Sequence, residues 1–156
     1  MSPAFRIRRA READDHAIAT LVRNERLNPL DLDWRRFVLA VDPDGIIGAV
    51  QLRRHDDDSR ELGSLVVRAD ARGRGVAARL IDALLAPVVT RVCMITGAAF
   101  AAHYAHWGFR RIDPSMAPAA VRRNYHLGRF IGGTLSLLTG RDPRMLAILE
   151  RPGPAH

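Results

Sequence analysis

The residues best placed to do chemistry lie in one short stretch, Arg72-Gly73-Arg74-Gly75-Val76-Ala77. An apolar, strand-like run ends a few residues before it. A helical pattern of Val76, Leu80, Ile81, Leu84 and Leu85 begins within it. Two glycines at that junction strip side chains away where a helix start has unpaired N–H donors and a dipole that favours an anion. Arg72 and Arg74 add positive charge. The chemistry this suits is binding of a pyrophosphate. A P-loop would need a lysine followed by a hydroxyl, and neither is present. Gly73, Gly75 and Ala78 do fit the spacing of a dinucleotide-binding turn. There, however, the glycines sit at the strand end and an acid follows about 20 positions later. Here Arg68 to Arg72 intervene, and the segment Val88 to Met94 holds no acid. The bland alternative is a tight strand-to-helix connection with exposed arginines.

Other chemistry-bearing residues are more scattered. His103 and His106 share helical spacing, but no cysteine or carboxylate joins them nearby, so no metal site is expected. His55-Asp56-Asp57-Asp58 reads as a solvated turn. Cys93 sits in an apolar strand and reads as inert core.

The elements around these residues follow from periodicity. Phe5 to Ala10 alternates as a strand does, and Ala17, Ile18, Leu21 and Val22 recur at helical spacing. Arg36 to His55 reads as a β-hairpin about Asp42-Pro43-Asp44-Gly45. Glu61 to Val67 is a further strand, and Pro87 stops the helix that begins at Val76. Arg91 to Thr96 is a buried strand, and Ala98 to Trp107 a short helix ended by Gly108. Phe109 to Asp113 starts another strand. Residues 114 to 144 read as irregular, with a helix around Phe130 to Leu138, and Met145 to Glu150 closes the chain as a strand. This order predicts one α/β (α+β) domain over residues 1–156, a central sheet with helices on both faces.

The bulk numbers bound the function. The chain has 156 residues, 47% of them hydrophobic, and a formal charge of +7 carried by arginines alone. A single cysteine excludes an internal disulfide and points to a reducing cytoplasm. No apolar run is long enough for a membrane span, and the basic N-terminus is unlike a signal peptide. The arginines are spread along the chain, which argues against a nucleic-acid tail.

With these residues in view, the stretch resembles motif A of the GNAT superfamily of acetyl-CoA-dependent N-acetyltransferases. The family pattern Q/R-x-x-G-x-G/A reads here as Arg72-x-x-Gly75-x-Ala77. His103 to Ile112 resembles motif B, with Tyr104, Gly108 and Phe109 in register. The resemblance covers roughly residues 4 to 112 and the last strand. It implies a mixed, mostly antiparallel twisted sheet with a splayed strand pair, and acetyl-CoA as co-substrate without a metal. Pantetheine would bond the backbone of Leu65, Val66 and Val67. The pyrophosphate would lie on the amides of Arg72, Gly73, Arg74, Gly75, Val76 and Ala77. Gly97 departs from the family, standing where many members carry a cofactor-contacting asparagine.

The resemblance also implies roles. Glu61 opens the strand leading into motif A and is the candidate base; otherwise it is a solvated carboxylate paired with Arg60 or Arg53. Tyr104 is the candidate acid for the coenzyme A thiolate; otherwise it packs on the core. Asn28, Trp34, Arg53 and His55 would line the acceptor side, and Arg53 hints at an acceptor with a carboxylate. The expected partner is a small-molecule amine, not nucleic acid or membrane. A homodimer through the Phe130 to Leu138 patch is left open. The other reading is an acyl-CoA sensor or interaction module without turnover.

Overall fold

The computed structural model describes residues 4–139 and 146–154, with the backbone alone over 130–139. Its contacts gather the chain into two compact units. One is Met1–Arg53 with Leu62–Val88, and the other is Arg54–Glu61 with Val89–His156.

The first unit holds β1 (Arg6–Arg9), α1 (Asp15–Asn24), β2 (Phe37–Asp42), most of β3 (Gly45–Arg54), most of β4 (Arg60–Val67) and α2 (Val76–Leu85). The strands lie in the order β1-β2-β3-β4. β1 runs antiparallel to β2 with Ile7 opposite Ala40, and β2 antiparallel to β3 with Leu39 opposite Ala49. The predicted hairpin turn forms because Asp42 Oδ1 accepts from Asp44 N at 2.9 Å and Gly45 adopts φ +118°, a value that favours glycine.

Side-chain alternation then sorts the helices. Phe37, Leu39 and Ala49 point to one side and pack with Ile18, Leu21 and Val22 of α1. Gly48, next to Ala49, points the other way, where a Cβ would lie 2.9 Å from Val76 Cγ1 and 3.0 Å from Leu80 Cδ1 of α2. The two helices therefore cover opposite faces, as expected. Phe37, Leu39 and Ile18 are at most 1% exposed, and burial of each such side chain contributes about 1.5–3 kcal/mol.

The second unit holds β5 (Val92–Gly97), a 3-10 helix (Ala98–Trp107), β6 (Arg110–Ile112), α3 (Ala119–Thr139) and β7 (Leu146–Arg151). The order is β5-β7-β6, with β7 antiparallel to both neighbours. Cys93 and Ile148 of this sheet pack with Ala117, Val121 and Tyr125 of α3 and the turn before it. The fold class is the mixed α/β, mostly antiparallel one that the element order predicts.

Two local expectations change. The segment from Ala98 to Trp107 is wound as a 3-10 helix with none of its residues buried. Gly108 ends it at φ +84°. The region read as irregular contains α3, which starts at Ala119, eleven residues before Phe130. Ala117, Val121 and Tyr125 do recur every fourth residue, but Arg122, Arg123 and Asn124 between them hide the stripe. The side chains of the Phe130 to Leu138 patch and residue Met145 lie outside the described residues. Among the described residues no helix is long and apolar enough to cross a membrane.

Candidate active site

In the first unit, the glycine turn is built as an open cradle. Gly73 and Gly75 have φ +77° and +75°, so side chains are disfavoured there on backbone grounds. Nothing lies within 4 Å of where either Cβ would stand. Gly75 caps α2 without any side-chain hydrogen bond, which leaves the first-turn amides facing that open space. These residues fit a pyrophosphate.

The arginines of the turn differ from the expectation. Arg74 turns inward, with its Nη1 3.4 Å from Asp42 Oδ2 and its guanidinium 5.6 Å from the Phe5 ring. Arg72 Nη2 donates to Glu25 Oε2 at 2.5 Å, and its Nε donates to Val67 O at 3.3 Å. Both side chains are paired with carboxylates of the first unit: Arg74 because a largely buried guanidinium needs a partner charge, Arg72 as an ion pair at the surface. They anchor the loop, and the backbone amides of the turn are the donors that remain to fit an anion.

A second polar group in this unit surrounds Arg53. Its side chain is 11% exposed, with Nε 3.5 Å from Asp31 Oδ2 and Nη2 donating to Ser64 Oγ at 3.2 Å. The guanidinium lies over Gly63, where a Cβ would be 2.4 Å from Nη1. Gln51 is fully buried and donates to Ser64 Oγ at 2.9 Å and Asp31 O at 3.2 Å. Its Oε1 is buried with no hydrogen-bond partner among the described residues. Ser64 has φ +52° within β4, a left-handed value that interrupts the pleat just before Leu65, Val66 and Val67. Of the other acceptor-side candidates, Asn28 accepts from Leu30 N in a turn. Trp34 packs against the α1 cluster beneath Arg35. Neither belongs to the Arg53 group.

The second unit brings Glu61 and His55 together. Glu61 is 4% exposed, so the solvated reading does not hold. Its Oε2 lies 2.7 Å from His55 Nε2 and accepts from Asn124 Nδ2 at 3.2 Å. The turn of three aspartates does more than meet solvent. Asp57 Oδ2 accepts from Ala120 N at 3.0 Å in the first turn of α3, one turn before Asn124. Its Oδ1 accepts from Ser59 Oγ and N. The Ser59 and Ala120 donors hold the Asp57 carboxyl down at about 2.

Tyr104 stands in the 3-10 helix with its ring edge-on to Phe109, centroids 6.4 Å apart. Burial pushes its phenol above the ordinary value, and a hydrogen bond with Thr96 pulls it part of the way back. The phenol keeps its proton near neutral pH. His103 and His106 stack against Trp107. Among the described residues no group of three or more possible ligands could hold a metal ion.

Asn124, Gln51 and Ser64 were not legible as site residues. Each takes its place through a partner 11 to 63 positions away, and nothing in a linear pattern marks such a pairing.

A family model, the acetyltransferase (GNAT) domain, matches residues 33–111, just over half of the chain. The chain belongs to the GNAT acetyltransferase family, a family of acyltransferases. No curated protein sequence matches it significantly. Among solved structures it resembles N-acetylglutamate synthase from Neisseria gonorrhoeae, complexed with coenzyme A and L-arginine. The TM-score is 0.69 at 19% identity, over 99% of this chain and 34% of that one, so the chain spans about a third of that synthase. It also resembles Rv2747 from Mycobacterium tuberculosis in complex with CoA, with a TM-score of 0.66 at 23% identity over 93% and 97% of the two chains. Ard1 from Thermoplasma volcanium follows, at 0.64 and 12% identity over 97% and 99%. At these identities the likeness is one of fold.

Proposed function

We propose that the chain transfers an acetyl group from acetyl-CoA to the primary amine of a small molecule or amino acid, by direct attack in a ternary complex. The observation that carries this is the open glycine cradle at the start of α2, Gly73 and Gly75 at positive φ with free space before them. The amides from Arg72 to Ala77 would hold the pyrophosphate, and the backbone of Leu65, Val66 and Val67 the pantetheine. The thioester supplies the activated acetyl carbon. An alkylammonium, with a pKa near ~10, must first lose a proton. The buried Glu61 carboxylate is the base that draws it. The amine nitrogen then bonds the carbonyl carbon, the C–S bond breaks, Tyr104 gives its proton to the thiolate, and the second proton shed by the amide nitrogen restores the phenol.

Arg53 favours an acceptor that carries a carboxylate, since a guanidinium seated on Gly63 beside the Ser64 hydroxyl presents a planar fork. The Neisseria synthase, a protein named for an acetylated amino acid, agrees with this choice. Nucleic acid and membrane are not partners in this reading, and the site of action is the cytoplasm.

Calorimetry with acetyl-CoA, run beside a thiol-release assay with pooled amino acids and alkylamines, tests the reading. Micromolar binding with thiol release supports it. Binding without release favours the acyl-CoA sensor, and no binding reduces the cradle to a turn.

A further inference from the structure

We propose that His55 is the group that takes the acceptor's proton, that Glu61 holds the imidazole for this task, and that Asn124 is the positioning residue that fixes Glu61. The proposal rests on the acetyltransferase reading and replaces its single carboxylate base with a three-residue unit.

The geometry lies within the second unit. Glu61 Oε2 is in contact with both His55 Nε2 at 2.7 Å and Asn124 Nδ2 at 3.2 Å. The Glu61 side chain is only 5% exposed and that of His55 10%. The Oε2 atom of this carboxylate is already engaged by two donors. Facing a carboxylate, Nε2 carries the hydrogen, and the lone pair of the neutral ring is then on Nδ1. Among the described residues no other side chain bonds the imidazole, so Nδ1 is the atom that accepts. Glu61 then stabilises the imidazolium as it forms, the part an aspartate plays in a Ser-His-Asp triad.

The supports of this pair come from separate elements. Asn124 lies on α3, and α3 is tied to the same turn that carries His55 through the hydrogen bond from Ala120 N to Asp57. The turn is closed by the backbone bond from His55 N to Ser59 O at 3.0 Å. Among the ionisable groups near the pair are Asp57, whose carboxylate feels His55, and the Cys93 thiol of β5, which feels Glu61 and Asp57.

The protons balance. An ammonium N–H bond breaks, and the proton bonds Nδ1 while Nε2–H stays on Glu61. The neutral amine forms the C–N bond as the C–S bond breaks. The thiolate takes the Tyr104 proton, and the second proton shed by the amide nitrogen replaces it. The imidazolium returns its proton to water.

The test measures kcat, KM and the pH profile of kcat for wild type, His55→Gln, His55→Ala and Asn124→Ala, with acetyl-CoA affinity read by calorimetry and folding by circular dichroism. His55→Gln is expected to lower kcat by about 100-fold or more with acetyl-CoA affinity unchanged. His55→Ala is expected to regain rate as imidazole is added. Asn124→Ala is expected to lower kcat by about 10-fold with KM unchanged. It also moves the rising limb of the profile to higher pH, because a carboxylate with one donor fewer holds the imidazolium more strongly. His55→Gln turning over at the wild-type rate, or His55→Ala indifferent to imidazole, overturns the role of His55. An unchanged Asn124→Ala profile overturns that of Asn124. A His55→Gln chain that does not fold is replaced by His55→Asn, under the same criteria. Failure of the acetyltransferase reading is visible in wild type alone, as absent acetyl-CoA binding or thiol release, and it removes the proposal with it.

Discussion

Tyr104 holds a phenol in surroundings that favour its neutral form, and an acid needs to keep its proton until the leaving group demands it. Replacing Tyr104 by Phe preserves the ring contact with Phe109 and removes the hydroxyl, with its proton and its hydrogen bond to Thr96. We expect kcat to fall by roughly 10- to 100-fold with acetyl-CoA affinity unchanged, as read by thiol release and calorimetry. Cys93 is the opposite case. Burial pushes its thiol up to about 11, and it is 1% exposed in the core of the second unit. At pH 8 it holds almost no thiolate, and the thiolate is the nucleophile. Native protein incubated with iodoacetamide is expected to stay unalkylated by mass spectrometry, while urea-unfolded protein reacts.

At the scale of elements, the junction of β4 and α2 combines two demands. The turn needs positive φ at Gly75, and the start of α2 needs free space for an anion. Gly75→Val violates the first and fills the second. Acetyl-CoA affinity is expected to fall by about 10-fold or more, the scale of a one-to-two kcal/mol loss, while the circular dichroism spectrum is retained. Gly48→Ala strikes the back of the same helix, where the new methyl meets Val76, Leu80 and the Val66 carbonyl. Overpacking of this kind costs about 1–3 kcal/mol, to be seen as a lower urea midpoint. In the second unit, Asp57→Asn removes the charged partner of the first α3 turn. The folded carboxyl lies at about 2 against an ordinary 3.8. Its contribution is therefore complete above 3.8 and is lost as pH falls toward 2. Because Asp57 is exposed, that contribution is about 1 kcal/mol at most after screening. The variant is expected to be less stable than wild type at pH 7, with the gap in urea midpoint closing below about pH 3.

Across the whole molecule, the formal charge of +7 is dispersed by local pairing. Arg8 is held by Asp14 at 2.7 Å, Arg72 by Glu25, Arg74 by Asp42 and Arg91 by Glu150. These four guanidinium groups are committed to carboxylates rather than to a phosphate backbone. We expect no retardation of duplex DNA in a mobility-shift assay at about 150 mM salt, where surface charges are screened beyond about 8 Å. A retained complex with a steep salt dependence would sink that expectation.

The elements were largely legible in the sequence, because apolar period and turn chemistry are local. The alternation of Phe5 to Ala10, the hairpin about Gly45 and the stripe from Val76 to Leu85 each reappear as drawn. The cradle was legible too, since two glycines before a helix are a local demand on φ and on space. The α3 helix was missed from Ala119 onward because its buried stripe, at every fourth residue, is diluted by arginine and asparagine. The side-chain partners lay further out of reach. That Arg74 would turn in to Asp42, 32 positions away, or that Glu61 would meet Asn124, 63 positions on, depends on which strands and helices become neighbours. What the sequence by itself determined is where the backbone bends, which stretches bury a face and where glycine leaves open space before a helix. What only the tertiary structure decided is which charges meet, because a buried carboxylate or guanidinium takes whatever donor or acceptor the packing of distant elements brings within about 3 Å.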